Sequence, residues 1–433
     1  MFMQKEKIMI VGSGAREHAI GWAIKQHQGH KRELFFAPGN GGTEQIGQNI
    51  PIGVREIDKL VGYASDHNID FTVVCPDDPL ADGIVDVFNK EGLPIFGHTQ
   101  EAAKLEWSKA EAVRFMRRHN IPHPASSIFT DPIEAQCFIY KSPWERVVLK
   151  ADGLALGKGV ILPDTTEEAI QGIKRIMIDK EFKDAGKTMV AQERLEGIEA
   201  SVIGLVGYDQ KSQKGNIFLF VPAQDYKRID DEEKGLNTGG MGAYGPSSYL
   251  TSEHLQIVQD TILTPTVNGM IEEGRPLCGA LYVGVMITKD GIKVIEYNAR
   301  LGDPETQAQL RLLESDLLDA MKACNNGTFT KDHLISNNRA AVGIVLASSG
   351  YPGEYEVGKE IHGLEKIPPR SDIVVFHAGT KRTGSKIVTD GGRVMTVTAT
   401  GRTKEKARSR GYRGIKYYNL GFEGAYYRKN IAS

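Results

Sequence analysis

The first hundred residues alternate between strand and helix, and this limits the chain more than any other feature. Short apolar runs at 7–11, 34–37, 71–75 and 93–96 are separated by helical patterns at 16–26 and near 57–67. In the first helical pattern Ala19, Ile20, Ala23 and Ile24 share one face. Strands that alternate with helices across short Gly/Pro turns build a parallel sheet covered on both faces. The expected fold class is therefore α/β (α+β multidomain), opening with an N-terminal doubly wound parallel sheet.

The pattern changes after residue 105. A helix over 108–119 runs into Ile121-Pro122-His123-Pro124, a rigid boundary. Strands at 147–150 and 160–162 flank a glycine-rich loop and read as an antiparallel hairpin. Mixed strand and helix continue to about 334, and a last part holds strands at 341–347, 373–378 and 394–399 with a helix over 404–412. Four domains are expected: 1–105, 106–195, 196–335 and 336–433.

The chain has 433 residues, a 40% hydrophobic fraction and a formal net charge of −2. That balance gives no general attraction to nucleic acid or to an anionic membrane. The basic run from Arg402 to Arg413 reads as a solvated helix face. No run reaches the roughly eighteen apolar residues of a membrane span, and the N-terminus has no signal-peptide core. A cytoplasmic enzyme is expected. Cys75, Cys137, Cys278 and Cys324 form no CxxC pair, so neither zinc nor a disulfide framework is indicated, and buried, inert thiols are expected.

Gly12-Ser13-Gly14-Ala15-Arg16-Glu17 joins the first strand to the first helix. Glycines let a ligand approach the backbone, and the helix start offers free N–H groups. A dinucleotide fingerprint would need glycine where Glu17 stands, and an acidic residue where the second strand runs into Pro38-Gly39. An NAD oxidoreductase is therefore disfavoured. A sugar phosphate paired with Arg16 fits better, and a plain turn with an Arg16–Glu17 surface ion pair is the competing reading.

Four further segments carry chemistry. Lys150 and Asp152 lead into a flap containing Gly153, Gly157, Lys158 and Gly159, whose lysines and open backbone suit phosphate oxygens without being a Walker loop. Glu296 and Asn298 lie two apart in a strand and project together, hard oxygen donors for magnesium, while Tyr297 faces the core. Arg300 can clamp a carboxylate, and Asp303 can accept from an amine or cap a helix with Pro304 at its first position. Asn237–Pro246, rich in glycine and preceded by Gln224-Asp225-Tyr226-Lys227-Arg228, suggests a loop over an anionic substrate.

With NTGGMGAY at 237–244 and GDPETQ at 302–307, the sequence resembles the ATP-grasp superfamily, and closely its phosphoribosylamine–glycine ligase family. Matching stretches cover nearly the whole chain. The resemblance implies a two-lobed ATP-grasp centre, a small C-terminal α/β domain, and ligation of glycine to 5-phosphoribosylamine through glycyl phosphate. ATP and Mg2+ (or Mn2+) are the implied cofactors. The partners are small molecules alone, and the working expectation is a monomer. The family's metal ligands fall on Glu296 and Asn298. Its nucleotide residues fall on Lys109, Lys150, Asp152, the flap, Glu193, Leu195 and Glu199. Its phosphoribosylamine side looks like Gly12, Gly14, Arg16, Glu17, Asn40 and Asp77. Asp225, Gly239 and Gly240 are further substrate candidates, and Arg300, Asp303 and Lys227 are candidate catalytic groups. Asp77 stands where the family has Glu, Cys75 where it has Gly, and Tyr226 where it has His. The strand before the metal pair lacks the acidic ligand common in the superfamily. A related ligase for another acid or amine, or a nucleotide-binding module without turnover, are the other readings.

Overall fold

The computed structural model describes residues 5–27, 31–142, 144, 146–154, 159–368 and 371–433. The N-terminal sheet is parallel. Its order is Gln48–Asn49, Arg32–Pro38, Glu6–Gly12, Phe71–Val74, Ile95–Phe96. The central strand shows why helices cover both faces. Period two sends Ile8 and Ile10 against Ala19, Ile20 and Ile24 of the helix Ala15–Gln26. It sends Met9 and Val11 the other way, against Leu60, Ala64, Ile84 and Phe88. The strand order reverses beside Glu6–Gly12, so a crevice opens at the carboxyl ends of that strand and of Phe71–Val74. The Gly12 loop and Asp77 flank that crevice.

Two antiparallel sheets follow. One has the order Ser126–Phe129, Met189–Glu193, Val147–Ala151, Val160–Ile161, packed under the helices Pro132–Lys141 and Thr166–Ile173. The predicted flap hairpin is present, with Lys150 opposite Val160. The other sheet has the order Lys214–Leu219, Ile198–Asp209, Gly279–Thr288, Gly291–Asn298.

The C-terminal sheet is built on Ala340–Ser348, buried along its whole length, with Arg393–Gly401 and Ile373–His377 on one side. Gly242–Gly245 and Gln224–Asp225 lie on the other. Gln224–Asp225 and Gly242–Gly245 thus pair into the last sheet, while Arg228–Asp230 and Lys234–Asn237 between them form a two-stranded sheet of their own. Long-range pairing with an apolar strand overrides position along the chain. The closing helix Lys404–Tyr418 runs further than the predicted 404–412, ending at Asn419 with left-handed φ +50°. Cys75 and Cys324 are buried as expected, but Cys137 is exposed.

Candidate active site

The two antiparallel sheets, the 224–239 segment and the 300–305 turn enclose a cleft of about 840 Å³. Val148, Val160, Leu162, Leu195, Ile198 and Met286 give it an apolar lining of the kind a planar base packs on, and Glu193 lies beside them.

Lys150, Lys227, Glu296, Asn298, Arg300 and Asp303 line the same cleft. Alternation along Gly291–Asn298 turns Tyr297 into the core, where its Oη is 2.7 Å from Thr266 Oγ1. Glu296 and Asn298 therefore face the opening. Gly284, on the neighbouring strand, is opposite Glu296; a Cβ there would lie 2.8 Å from Glu296 Cγ. The absent acidic ligand thus coincides with space that the Glu296 side chain occupies.

Lys227 Nζ sits 3.3 Å from Glu296 Oε1 and 3.2 Å from Glu199 Oε2. The ammonium of Lys227 holds the Glu296 carboxyl down at about 2, although burial pushes it upward. Burial would also lower Lys227, but Glu296, Asp225 and Glu199 outweigh it and raise the ammonium. Glu296 is therefore ionised and 41% exposed to the cleft. Glu199, expected at a ribose, is engaged with Lys227.

Lys150 donates from Nζ to the Ile295 carbonyl at 2.8 Å, and burial lowers its ammonium to about 8. Lys109 Nζ donates to the Gly153 carbonyl at 3.0 Å. Asp152 ties the base of the flap to the helix Lys109–Arg118: it accepts the Ala110 N–H at 3.0 Å and the Ser108 hydroxyl at 3.3 Å. Gly159 closes the hairpin through its carbonyl, 2.8 Å from Ala151 N. Gly157 and Lys158 lie outside the described residues.

Beside the oxygen pair, Arg300 Nη2 donates to Asn298 Oδ1 at 3.2 Å, and its Nε lies 3.0 Å from Glu106 Oε1. Asp303 does not cap the following helix, Glu305–Gln309, which starts without a side-chain cap. Its Oδ1 instead accepts from Gln307 Nε2 at 2.8 Å and pairs with Arg393 at 3.3 Å. Burial would raise Asp303, yet Arg393 and then Arg16 hold it below the usual carboxylate range. Arg393 Nη1 also donates to the carbonyls of Gly239 at 2.7 Å and Asp303 at 2.9 Å. Nothing in the local sequence of Arg393 signals this; its partners are distant in the chain.

Asp225 is pushed up to about 7 by burial. It shares the Ser201 hydroxyl (3.4 Å) with Glu305 (3.1 Å) and Tyr282 (2.9 Å). Glu305 and Glu106 received no role from sequence. Both are carboxylates nearly closed to solvent, a property invisible until the fold exists.

The N-terminal loop is packed more tightly than its glycines suggested. Arg16 and Glu17 do pair, at 2.8 Å, but as a buried pair. Arg16 Nη1 also reaches the Leu301 carbonyl at 3.0 Å, joining the loop to the cleft wall. A Cβ at Gly12, whose φ is +133°, would lie 2.5 Å from Glu17 Cγ, and one at Gly14 would lie 2.5 Å from Glu17 Oε2. Asn40 spends its amide on the Ser13 and His377 carbonyls at 2.8 Å, and its Oδ1 accepts the Gly42 and Thr43 N–H groups. Its side chain staples loops together and is not free for a ligand. Asp77 opens the short helix at the crevice and accepts the Asp78 N–H at 3.1 Å.

Three family models tile the chain. The phosphoribosylglycinamide synthetase N domain matches residues 6–106, the ATP-grasp (A) domain 107–306 and the C domain 341–433. The chain belongs to the phosphoribosylglycinamide synthetase family. A phosphoribosylamine–glycine ligase of Vibrio parahaemolyticus is 43% identical, covering 98% of this chain and 97% of its own. The crystal structure of the phosphoribosylamine–glycine ligase of Thermotoga maritima superposes with a TM-score of 0.82 at 34% identity, covering 98% and 100% of the two chains. A bifunctional purine biosynthetic protein of Pichia angusta is 42% identical over 99% of this chain, which spans 54% of that longer protein.

As a family member the chain is an ATP-grasp protein, and its cleft is the place to look for the nucleotide. No helix among the described residues is long and apolar enough to cross a membrane.

Proposed function

We propose that this chain is an ATP-dependent phosphoribosylamine–glycine ligase. It joins glycine to 5-phosphoribosylamine through glycyl phosphate and releases ADP and phosphate, a step of purine biosynthesis. One observation carries the site assignment. An ionised carboxylate, Glu296, shares one cleft with Lys150, Lys227, Arg300 and Asp303, beside an apolar slot lined by Val148, Leu195 and Met286.

The nucleotide base packs in that slot, and Lys150 and Lys227 face the phosphates. Glu296 and Asn298 are hard oxygen donors, which suits Mg2+. No group of three or more His, Cys, Asp or Glu residues among the described residues could hold a metal alone, so phosphate and water oxygens would complete the shell. Bound there, Mg2+ would neutralise charge on the terminal phosphates.

Arg300, braced by Glu106, pairs with the glycine carboxylate. Phosphorylation of a carboxylate forms its C–O–P linkage at the expense of the terminal phosphoanhydride. The amine then adds to the acyl carbon, phosphate departs, and a proton is released from nitrogen. Asp303, held ionised, can accept hydrogen bonds from that amine. The Gly12–Arg16 loop borders the acceptor side, which is the proposed place for the phosphoribosyl group. The glycine-rich flap expected from sequence to exclude water from the acyl phosphate has its centre, residues 155–158, outside the described residues. Proximity and charge stabilisation supply the rate, and no covalent enzyme nucleophile is needed.

The test is ADP release with glycine and phosphoribosylamine, each omitted in turn. Release that depends on both supports the assignment; turnover with a different amino acid and no response to glycine overturns it.

A further inference from the structure

The final residues of the chain cross the cleft wall that carries Lys227. Tyr226, next to it, is gripped on two sides. The Arg428 guanidinium lies over its ring, 4.8 Å from the centroid, and the Ala432 N–H donates to Tyr226 Oη at 3.0 Å. Arg428 is fully buried. Its Nη1 donates to the Arg228 carbonyl at 3.0 Å, its Nη2 to Glu233 Oε1 at 2.6 Å and its Nε to Asn430 Oδ1 at 2.9 Å. The arginine therefore holds the residue before Lys227 by its ring and the residue after it by its backbone.

The rest of the segment is fastened too. A Cβ at Gly242 would lie 2.8 Å from Ile431 Cδ1, so Ile431 packs on the glycine-rich string. Tyr412 Oη, from the closing helix, donates to the Arg428 carbonyl at 2.8 Å and accepts the Ile431 N–H at 3.0 Å. Asn430 and Ser433 line the cleft itself.

Burying a guanidinium is costly unless its donors are met, and an apolar side chain would tether a chain end at lower cost. Here one donor holds the Arg228 carbonyl and the guanidinium face covers the Tyr226 ring, the two neighbours of one cleft lysine, while Glu233 and Asn430 satisfy the other donors. Lys227 bridges Glu199 and Glu296 at 3.2 and 3.3 Å, so a shift of about an ångström breaks one of those pairs. Its own carbonyl is fixed by Thr238, whose N–H and hydroxyl both donate at 2.8 Å.

We propose that Arg428 and Tyr226, with the 428–433 segment as a strap, are positioning residues that set Lys227 against Glu296 in the ligase cleft. This rests on the ligase reading for its kinetic arm only. It also gives the tyrosine found in place of the family's histidine a task, since its hydroxyl reaches Ala432.

Three variants test it: Tyr226→Phe, Arg428→Lys and Tyr412→Phe. The last loosens the strap from its far side without a direct contact to residues 226–228. Arg428→Lys is expected to lower kcat roughly tenfold and the other two several-fold, with KM for ATP within about twofold. Independently of turnover, reductive methylation of Lys227, followed by peptide mass mapping, should accelerate at least about threefold as the ion pairs to Glu199 and Glu296 loosen. Variants that melt earlier but keep the wild-type kcat and Lys227 labelling rate make the strap a stability element and overturn the proposal. If the wild type shows no glycine-dependent ADP release, the ligase reading fails, and the labelling rates still decide whether the strap positions Lys227.

Discussion

Glu106 braces Arg300 from the N-terminal side of the cleft: its Oε1 is 3.0 Å from Arg300 Nε, and its Oε2 accepts the Ala299 N–H at 2.7 Å. The carboxylate sits at the end of the helix Gln100–Trp107, the arginine just beyond the strand Gly291–Asn298. Two lobes thus meet at the group assigned to the glycine carboxylate. Glu106→Gln keeps the shape and can still accept from Ala299, but it no longer pairs with the guanidinium. KM for glycine should rise roughly tenfold with KM for ATP little changed, because a hydrogen bond between charged groups is worth about 1.5–3 kcal/mol. Steady-state kinetics with each substrate varied settles this, and an unchanged glycine KM would remove Glu106 from the site.

The same residue makes stability pH-dependent. Burial raises Glu106 from 4.5 to about 7, against the pull of Arg300. Between those values the folded protein keeps a proton that the unfolded chain has released, so stability falls as pH rises through the window. The contribution is full below 4.5 and gone above about 7. A move of that size corresponds to about 3 kcal/mol. Urea melts should therefore show wild type losing stability relative to Glu106→Gln across this range. A difference between the two proteins that does not change with pH contradicts this.

Glu296→Ala removes the ionised oxygen of the proposed metal pair and one of the two ion pairs of Lys227. Glycine-dependent ADP release should fall by about two orders of magnitude or more. The side chain is partly open to the cleft, so the melting temperature should barely move. A variant that turns over within about threefold of wild type is incompatible with the proposed role.

Much of this was legible in sequence, because local rules decide it. The parallel sheet follows from strand–helix alternation, and the shared orientation of Glu296 and Asn298 from the two-residue period of a strand. Other features depend on partners distant in the chain. The competing reading of Arg16 and Glu17 put their ion pair at the surface, but the fold buries it and brings the Leu301 carbonyl onto Arg16. Asn40 looked available for a ligand until three loops converged on its amide. Glu106, Glu305 and Arg393 received no role, since their environment is made by partners distant in the chain. Sequence offered no sheet partner for Gln224–Asp225 and Gly242–Gly245; they pair with the apolar strand Ala340–Ser348, about a hundred residues on, directly or through one another.

Lys150 gives a pH dependence of the same origin as Glu106, burial, acting on a cation. Burial lowers its ammonium to about 8, while Glu296 works to raise it. The free enzyme therefore loses this charge as pH rises through about 8, and ATP should bind several-fold more weakly near pH 9 than near pH 7. Lys150→Arg stays charged across that range and should flatten the profile, even if its affinity is lower throughout. Titration calorimetry with ATP measures both. A wild-type affinity that is flat to about pH 9.5 would falsify the assignment of Lys150 to the phosphates.

Arg393 lets the C-terminal sheet control the cleft. One nitrogen, Nη1, lies within hydrogen-bonding range of the Gly239, Gly240 and Asp303 carbonyls and pairs with Asp303 Oδ1 at 3.3 Å. The glycine-rich loop is also held by Tyr351, whose Oη accepts the Gly239 N–H at 3.0 Å. Arg393→Met leaves the Gly239 and Asp303 carbonyls without this donor and removes the charge that helps keep Asp303 ionised. Asp303 should then titrate higher, so the acid limb of the kcat/KM–pH profile moves to higher pH. The value at the optimum should fall about tenfold to a hundredfold, equivalent to about 1.5–3 kcal/mol of lost positioning. Arg393→Lys should recover part of the acid limb, because charge returns, but little of the rate, because an ammonium on a flexible stem cannot reproduce the guanidinium's fixed fork. If the methionine variant keeps both the wild-type profile and the wild-type rate, the loop is held in place without Arg393.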